Sequence, residues 1–212
     1  MLTVKSFVFS PVEENTYVVY NESLDCCIID PGCYSGNERN ELKDFIDRLS
    51  LRPNYLLNTH CHLDHVFGEK FIHDTYGLVP HIHANEQQML ELAPVAGLRW
   101  NLPFDGYKGE LNYVTEGALI RLGKDELKII FTPGHSPGHI CFYSEAQHFI
   151  LGGDVLFRLS IGRTDLPGAD FDTLINSIKQ KLFVLPDEVL VYPGHGPVTT
   201  IGFEKLNNPF LV

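Results

Sequence analysis

Residues 54–65 read NYLLNTHCHLDH: a short apolar strand, NYLLN, runs directly into a segment holding His60, His62, Asp64 and His65. In an extended chain alternate side chains point the same way. His60 and His62 can therefore reach one metal ion together while Cys61 faces elsewhere. Asp64 and His65 fall where the chain turns into a helix, and could serve a second ion beside the first. Imidazole plus carboxylate ligation suits zinc, iron or manganese. The plainer alternative is a histidine-rich surface loop, and the rest of the chain argues against it. GHSPGH (134–139) follows the strand-like ELKIIFT, PGHGP (193–197) follows EVLVY, and the apolar HFIL run ends in Gly152-Gly153-Asp154. Each puts a metal-competent side chain at a strand end beside small residues. Glycine allows close backbone approach, and strand-end loops are where α/β folds keep their sites.

Outward from this centre the chain alternates strands and helices. LTVKSFVF, TYVVY and LDCCIID read as three short strands separated by PVEEN and NES turns. The third is nearly continuous apolar, as a strand buried on both faces would be. Residues 37–50 space Leu42, Phe45, Ile46 and Leu49 as one face of a surface helix, and Ser35 with Glu38 can form its capping box. The helical stretch after His65 runs to Gly77; VPHIH is a strand and ANEQQMLELA a short helix. Residues 94–117 show no clear period and hold Trp100, Phe104, Tyr107 and Tyr113. ALIRL, ELKIIFT, HICFY and HFILGG are four close-set strands, followed by a helix over 171–183 and a last strand, EVLVYP. This order predicts the α/β class and a single domain over residues 1–212.

Composition sets the outer limits. The chain has 212 residues, 44% hydrophobic and 20% charged, long enough to bury roughly 70–75% of its unfolded surface without a disulfide. A net charge of −11, with few and scattered Lys and Arg, argues against nucleic acid or an anionic membrane as partner. Five cysteines, two of them adjacent (Cys26, Cys27), do not form a disulfide framework, and reduced thiols point to a cytoplasmic compartment. The first residues, MLTVKSFVFSPVEEN, lack the pattern of a secretory signal, and no apolar run is long enough to span a membrane.

At the histidine and aspartate positions the chain resembles the metallo-β-lactamase-fold hydrolases, whose signature is His-x-His-x-Asp-His followed by single His, Asp and His positions. The resemblance runs from NYLLNTH to PGHGPVTTIGFEKLNNPFL and is closest to small glyoxalase II-like (hydroxyacylglutathione hydrolase-like) proteins. It implies a four-layer αββα sandwich of two mixed β-sheets with the site at one edge. It also implies His60, His62 and His135 on one ion, Asp64, His65 and His195 on a second, and Asp154 bridging both. Two divalent ions, zinc first with iron or manganese as alternatives, would lower the pKa of a shared water from 15.7 toward about 7. Asp64 would handle the proton, and a small-molecule thioester would be the substrate.

Two departures from the family bear on the substrate. Glyoxalase II enzymes proper carry a C-terminal helical domain that grips glutathione, whereas only residues 196–212 follow His195 here. Arg163, in GRTDLPGAD (162–170), matches a cationic family position near the substrate, but Asp165 stands where larger enzymes tend to have a tyrosine. The grip on substrate is therefore expected to differ, with Arg163 anchoring a carboxylate or thioester, or else simply paired with Asp165. The unpatterned 94–117 segment reads as a packed irregular loop whose place between the two halves could let it wall the pocket. Cys61 and Cys141 are expected to be buried and inert, and His139 to hydrogen-bond structurally. The rival activity is a persulfide dioxygenase of the same fold using one iron; a GRTD stretch occurs on both branches. Oligomeric state stays open.

Overall fold

The computed structural model describes residues 1–212. Two mixed sheets of six strands each stack face to face. In chain order the first half comprises β1 (Thr3–Phe9), β2 (Glu14–Tyr20), β3 (Asp25–Ile29), α1 (Gly36–Arg48), β4 (Arg52–Leu57), α2 (Leu63–Val66), α3 (Glu69–Tyr76), β5 (Pro80–Ile82), α4 (Gln87–Arg99) and β6 (Asn112–Tyr113). The second comprises β7 (Leu119–Leu122), β8 (Asp125–Phe131), β9 (Ile140–Ser144), β10 (Phe149–Gly153), the hairpin β11–β12 (Leu156–Phe157 and Ser160–Ile161), α5 (Phe171–Ser177), β13 (Leu190–Pro193), β14 (Thr199–Thr200) and α6 (Ile201–Asn207). Strand order is β1-β2-β3-β4-β5-β6 in one sheet and β14-β13-β10-β9-β8-β7 in the other. Parallel pairs join β3 through β6 and β10 to β13; the other neighbours are antiparallel.

The two-residue period of the strands sorts side chains into three layers of core. Tyr17, Val19, Cys27 and Ile29 face the second sheet, where Ile129, Phe142 and Leu151 meet them. Their chain neighbours Val18, Cys26 and Ile28 face outward under Leu42 and Ile46 of α1. On the opposite outer face, Cys141, Ile150 and Val191 pack beneath Leu174, Ile178 and Ile201. LDCCIID is thus apolar throughout because both of its faces are buried. Each such Leu, Ile or Phe contributes about 1.5–3 kcal/mol by leaving water. The expected α/β sandwich with helices outside is the fold observed.

Local signals hold with one exception. Ser35 and Glu38 form the capping box of α1, and Gly77, at φ +69°, closes α3 with its amide bonded to the His73 carbonyl. The exception is the stretch from residue 94. The sequence predicts a short helix ending at Ala93, but α4 continues through Pro94 to Arg99. Proline normally ends a helix by removing an amide and crowding the preceding turn. Here tertiary packing carries the helix on: Ala93 and Gly97 are buried, and the Leu102 amide bonds the Gly97 carbonyl at 2.8 Å.

Candidate metal centre

Four loops meet at one edge of the sandwich. The loop after β4 brings His60 and His62, and the first turn of α2 brings Asp64 and His65. The β8–β9 loop brings His135, the end of β10 brings Asp154, and the end of β13 brings His195. The alternation expected at 60–62 is observed: Cys61 turns away to pack with Val66, Ile82 and Leu90, and burial pushes its thiol well up. The edge is tight, and glycine makes it so. A Cβ on Gly194 would lie 2.1 Å from Asp154 Oδ1, and one on Gly153 would lie 2.4 Å from Thr59 Oγ1. Strand β2 crosses from the other sheet to hold the last loop. The Asn15 amide bonds the Gly194 carbonyl at 2.7 Å, and the Tyr17 hydroxyl donates to the Pro193 carbonyl at 2.7 Å.

The seven side chains form two adjoining groups. In the first, His135 Nε2 lies 2.8 Å from His62 Nδ1 and 3.2 Å from His60 Nε2. In the second, His195 Nε2 lies 3.0 Å from Asp64 Oδ2, and His65 Nε2 lies 3.8 Å from the same oxygen. Asp154 stands between them, with Oδ1 3.5 Å from His65 Nε2 and Oδ2 3.5 Å from His135 Nε2 and 3.7 Å from His195 Nε2.

These donors suit divalent cations. Nitrogens bound to a tetrahedral ion at ~2.0–2.1 Å sit roughly 3.3 Å apart, close to the spacing of the three-histidine group. Asp154 Oδ1 and His65 Nε2 are buried without any hydrogen-bond partner, a costly state that a cation between them would relieve. Charge is distributed to match. Burial, reinforced by neighbouring histidines, pushes His60 down, His62 down to about 3, and His135 down despite the nearby Asp154, so all three are neutral donors. Burial opposes charge on His65 and His195 too, but the surrounding carboxylates outweigh it and raise both. For Asp64 and Asp154 burial is likewise outweighed, by the facing histidines, and both carboxyls are held low.

A supporting layer escaped the sequence reading. Asp30 accepts the Thr59 amide at 2.7 Å and the Thr59 hydroxyl at 2.6 Å, and that hydroxyl oxygen in turn lies 3.0 Å from His60 Nδ1. Glu86, buried just before α4, accepts the Cys61 amide at 2.8 Å, the Gly138 amide at 2.6 Å and the Ser136 hydroxyl. It ties the His60–His62 loop to the His135 loop. Nothing in the sequence marks Asp30 or Glu86, because neither lies in a histidine motif. His139 is structural, as expected: it pairs with Thr132 Oγ1 at 3.0 Å through Nδ1 and accepts the Asp154 amide at 3.1 Å through Nε2.

Beside these side chains lies a cavity of about 710 Å³, lined among others by His62, Asp64, His135, Asp154 and His195. From 94–117 only the first part reaches it, through Val95, Ala96, Arg99, Trp100 and Leu102. Arg163 is at the rim, but its guanidinium forms a two-pronged pair with Asp165, at 2.7 and 2.8 Å. Its carbonyl, rather than its side chain, orients the centre by accepting His135 Nδ1–H at 2.8 Å.

A sequence model of the metallo-beta-lactamase superfamily matches residues 10–195. The chain is 36% identical to hydroxyacylglutathione hydrolase GloC of Haemophilus influenzae over 201 residues, 94% of this chain and 93% of that one. Among solved structures, BLEG-1 B3 metallo-beta-lactamase superposes with a TM-score of 0.91 at 35% identity, covering 99% of this chain and 100% of that one. TTHA1623 in a di-iron-bound form superposes with a TM-score of 0.88 at 36% identity, covering 98% and 100%.

Proposed function

This chain belongs to the metallo-beta-lactamase superfamily, and on that premise we propose that it is a two-metal hydrolase of thioesters, acting on an acyl-glutathione or a related thiol ester in the cytoplasm. The observation that carries the reading is Asp154 standing between a three-histidine group and an Asp64–His65–His195 group. His60, His62 and His135 would hold one ion, Asp64, His65 and His195 the other, and Asp154 both. Zinc is the ion we favour, with iron the alternative because a close structural neighbour is described in a di-iron-bound form. When bound, such ions bring the pKa of water toward about 7 and polarise a substrate carbonyl.

The chain's own groups do the rest. Asp154 supplies the negative charge that lets two cations share one small volume. The imidazoles of His65 and His195 that face Asp64 hold its carboxyl low, so it is ionised at neutral pH. The ionised Asp64 would take the proton released by the attacking water. A thioester suits the site because its carbonyl is electrophilic and a thiolate leaves without needing a strong acid. The five cysteines are all buried and unpaired, in keeping with a reducing compartment, and no helix is long and apolar enough to cross a membrane.

The test is turnover of a panel of acyl-glutathione thioesters, S-lactoylglutathione among them, against glutathione persulfide by the metal-loaded protein, with oxygen uptake recorded. Thioester hydrolysis without oxygen uptake is expected. Persulfide-dependent oxygen uptake with no thioester cleavage would replace this reading by the one-iron dioxygenase.

A further inference from the structure

The cavity over the ligand cluster is charged on its floor and apolar along one wall. That wall is a face of α4, where Met89, Leu92, Ala96 and Trp100 recur at three- and four-residue spacing with Val95 beside them. The same helix already has a core face, made by Leu90, Ala93 and Gly97. A surface helix ordinarily turns polar groups outward once its core face is satisfied. Here Leu92, Val95 and Trp100 stay 50%, 46% and 55% exposed while lining the cavity. Phe157 and Ile161 of the β11–β12 hairpin also line it.

The cations of the cavity are distributed unevenly. Arg163 is already paired with Asp165. The ion pairs that arginines make are those of Arg52, Arg121 and Arg163, so Arg99, exposed at the end of α4, has no carboxylate. Arg99, the lining cation without a carboxylate, suits an anionic group of the substrate better than the paired Arg163 does, and the apolar wall suits none.

We propose that the pocket selects thioesters with an apolar acyl group, a chain of several carbons or an aromatic ring. That group lies along Met89, Leu92, Val95 and Trp100, and the thiol carrier points to solvent with an anionic group at Arg99. This rests on the thioester reading above and narrows it. A 2-hydroxyacyl group such as lactoyl is then a poor fit, because its hydroxyl would lose water against the apolar wall without gaining a partner.

The test compares kcat/KM of the metal-loaded full chain on S-acetyl-, S-butyryl-, S-hexanoyl-, S-octanoyl- and S-lactoylglutathione. Burial of each added methylene predicts a rise of roughly three- to fourfold until the wall is covered, with lactoyl below butyryl. Leu92→Ser combined with Val95→Ser, at half-exposed positions, should cut the hexanoyl-to-acetyl ratio about tenfold or more. Arg99→Gln should raise KM for the glutathione esters but not for the matching esters of N-acetylcysteamine, which lacks the anion. A flat or falling series in the wild type, or an unchanged ratio in the double variant, overturns the apolar-acyl assignment alone. Failure to cleave any member overturns the thioester reading, and the acyl assignment with it.

Discussion

His65 Nδ1 lies 3.1 Å from Asp30 Oδ2, with both side chains withdrawn from solvent. A carboxylate behind an imidazole favours a proton on the near nitrogen, here through charge at close range rather than an aligned hydrogen bond, and so leaves the other nitrogen for a metal. Here Nε2 is aimed at Asp64 and Asp154. Because Asp30 also bonds Thr59, whose hydroxyl meets His60 Nδ1, one carboxylate stands behind a histidine of each group.

The two variants Asp30→Asn and Thr59→Val should therefore differ. Loss of such a supporting group typically costs about 10–100-fold in metal affinity. Asp30→Asn should weaken both ions, while Thr59→Val should weaken mainly the ion held by His60. Competition against a chromophoric chelator measures both affinities. Equal losses in Thr59→Val would remove the relay.

Asp64 and Asp154 share a side chain but not a role. Asp154→Asn should strip metal from the cluster generally, because the carboxylate between the groups is lost. Asp64→Asn should leave the three-histidine site largely occupied while kcat falls by ~10²-fold or more, the scale of a lost proton acceptor. Metal content and kcat are to be measured together. Near-full turnover in Asp64→Asn at normal metal content would deprive hydrolysis of its proton acceptor.

The fold, and the seven side chains that meet at one edge of it, were legible in the sequence for one reason: each of the seven sits in a short local pattern at or just beyond a strand end. His60 and His62 need only strand alternation, and Asp154 and His195 are flagged by the glycines that make room for them. Asp30 and Glu86 were not legible, because their partners lie far along the chain, Thr59 for one and Gly138 for the other. The continuation of α4 past Pro94 was hidden for the same reason, since Ala93 beside that proline packs against Cys61, Val66 and Ile82, far back along the chain. The free cation at Arg99 could not be seen until the fold showed which arginines find carboxylates.

Proton release should distinguish the two sites. His60, His62 and His135 are held low and are already neutral at pH 7, so the first ion displaces few protons. His65 and His195 are held above their usual value and carry protons further into the neutral range. A cation there must displace them. Affinity for the second ion should rise with pH until the raised pKa values are passed, by ~10-fold per unit for each proton displaced, and then level off. Calorimetric titration in buffers of different ionisation enthalpy reads the proton count of each step. Proton release confined to the first step would contradict the assignment.

Arg163 gives a test of substrate charge. Its pairing with Asp165 should moderate its pull on an anion, so Asp165→Asn should lower KM for an anionic thioester. Arg163→Ala should raise KM for that ester more than for a neutral one. Equal effects on both esters would leave Arg163 only its backbone contact with His135.

The most direct test of the two-metal account is a titration of metal-free protein with zinc, following thioester turnover at each step. Activity should climb as the second equivalent binds and reach its plateau near two ions per chain. Full turnover at one equivalent, or activity with a single iron and none with zinc, would contradict it.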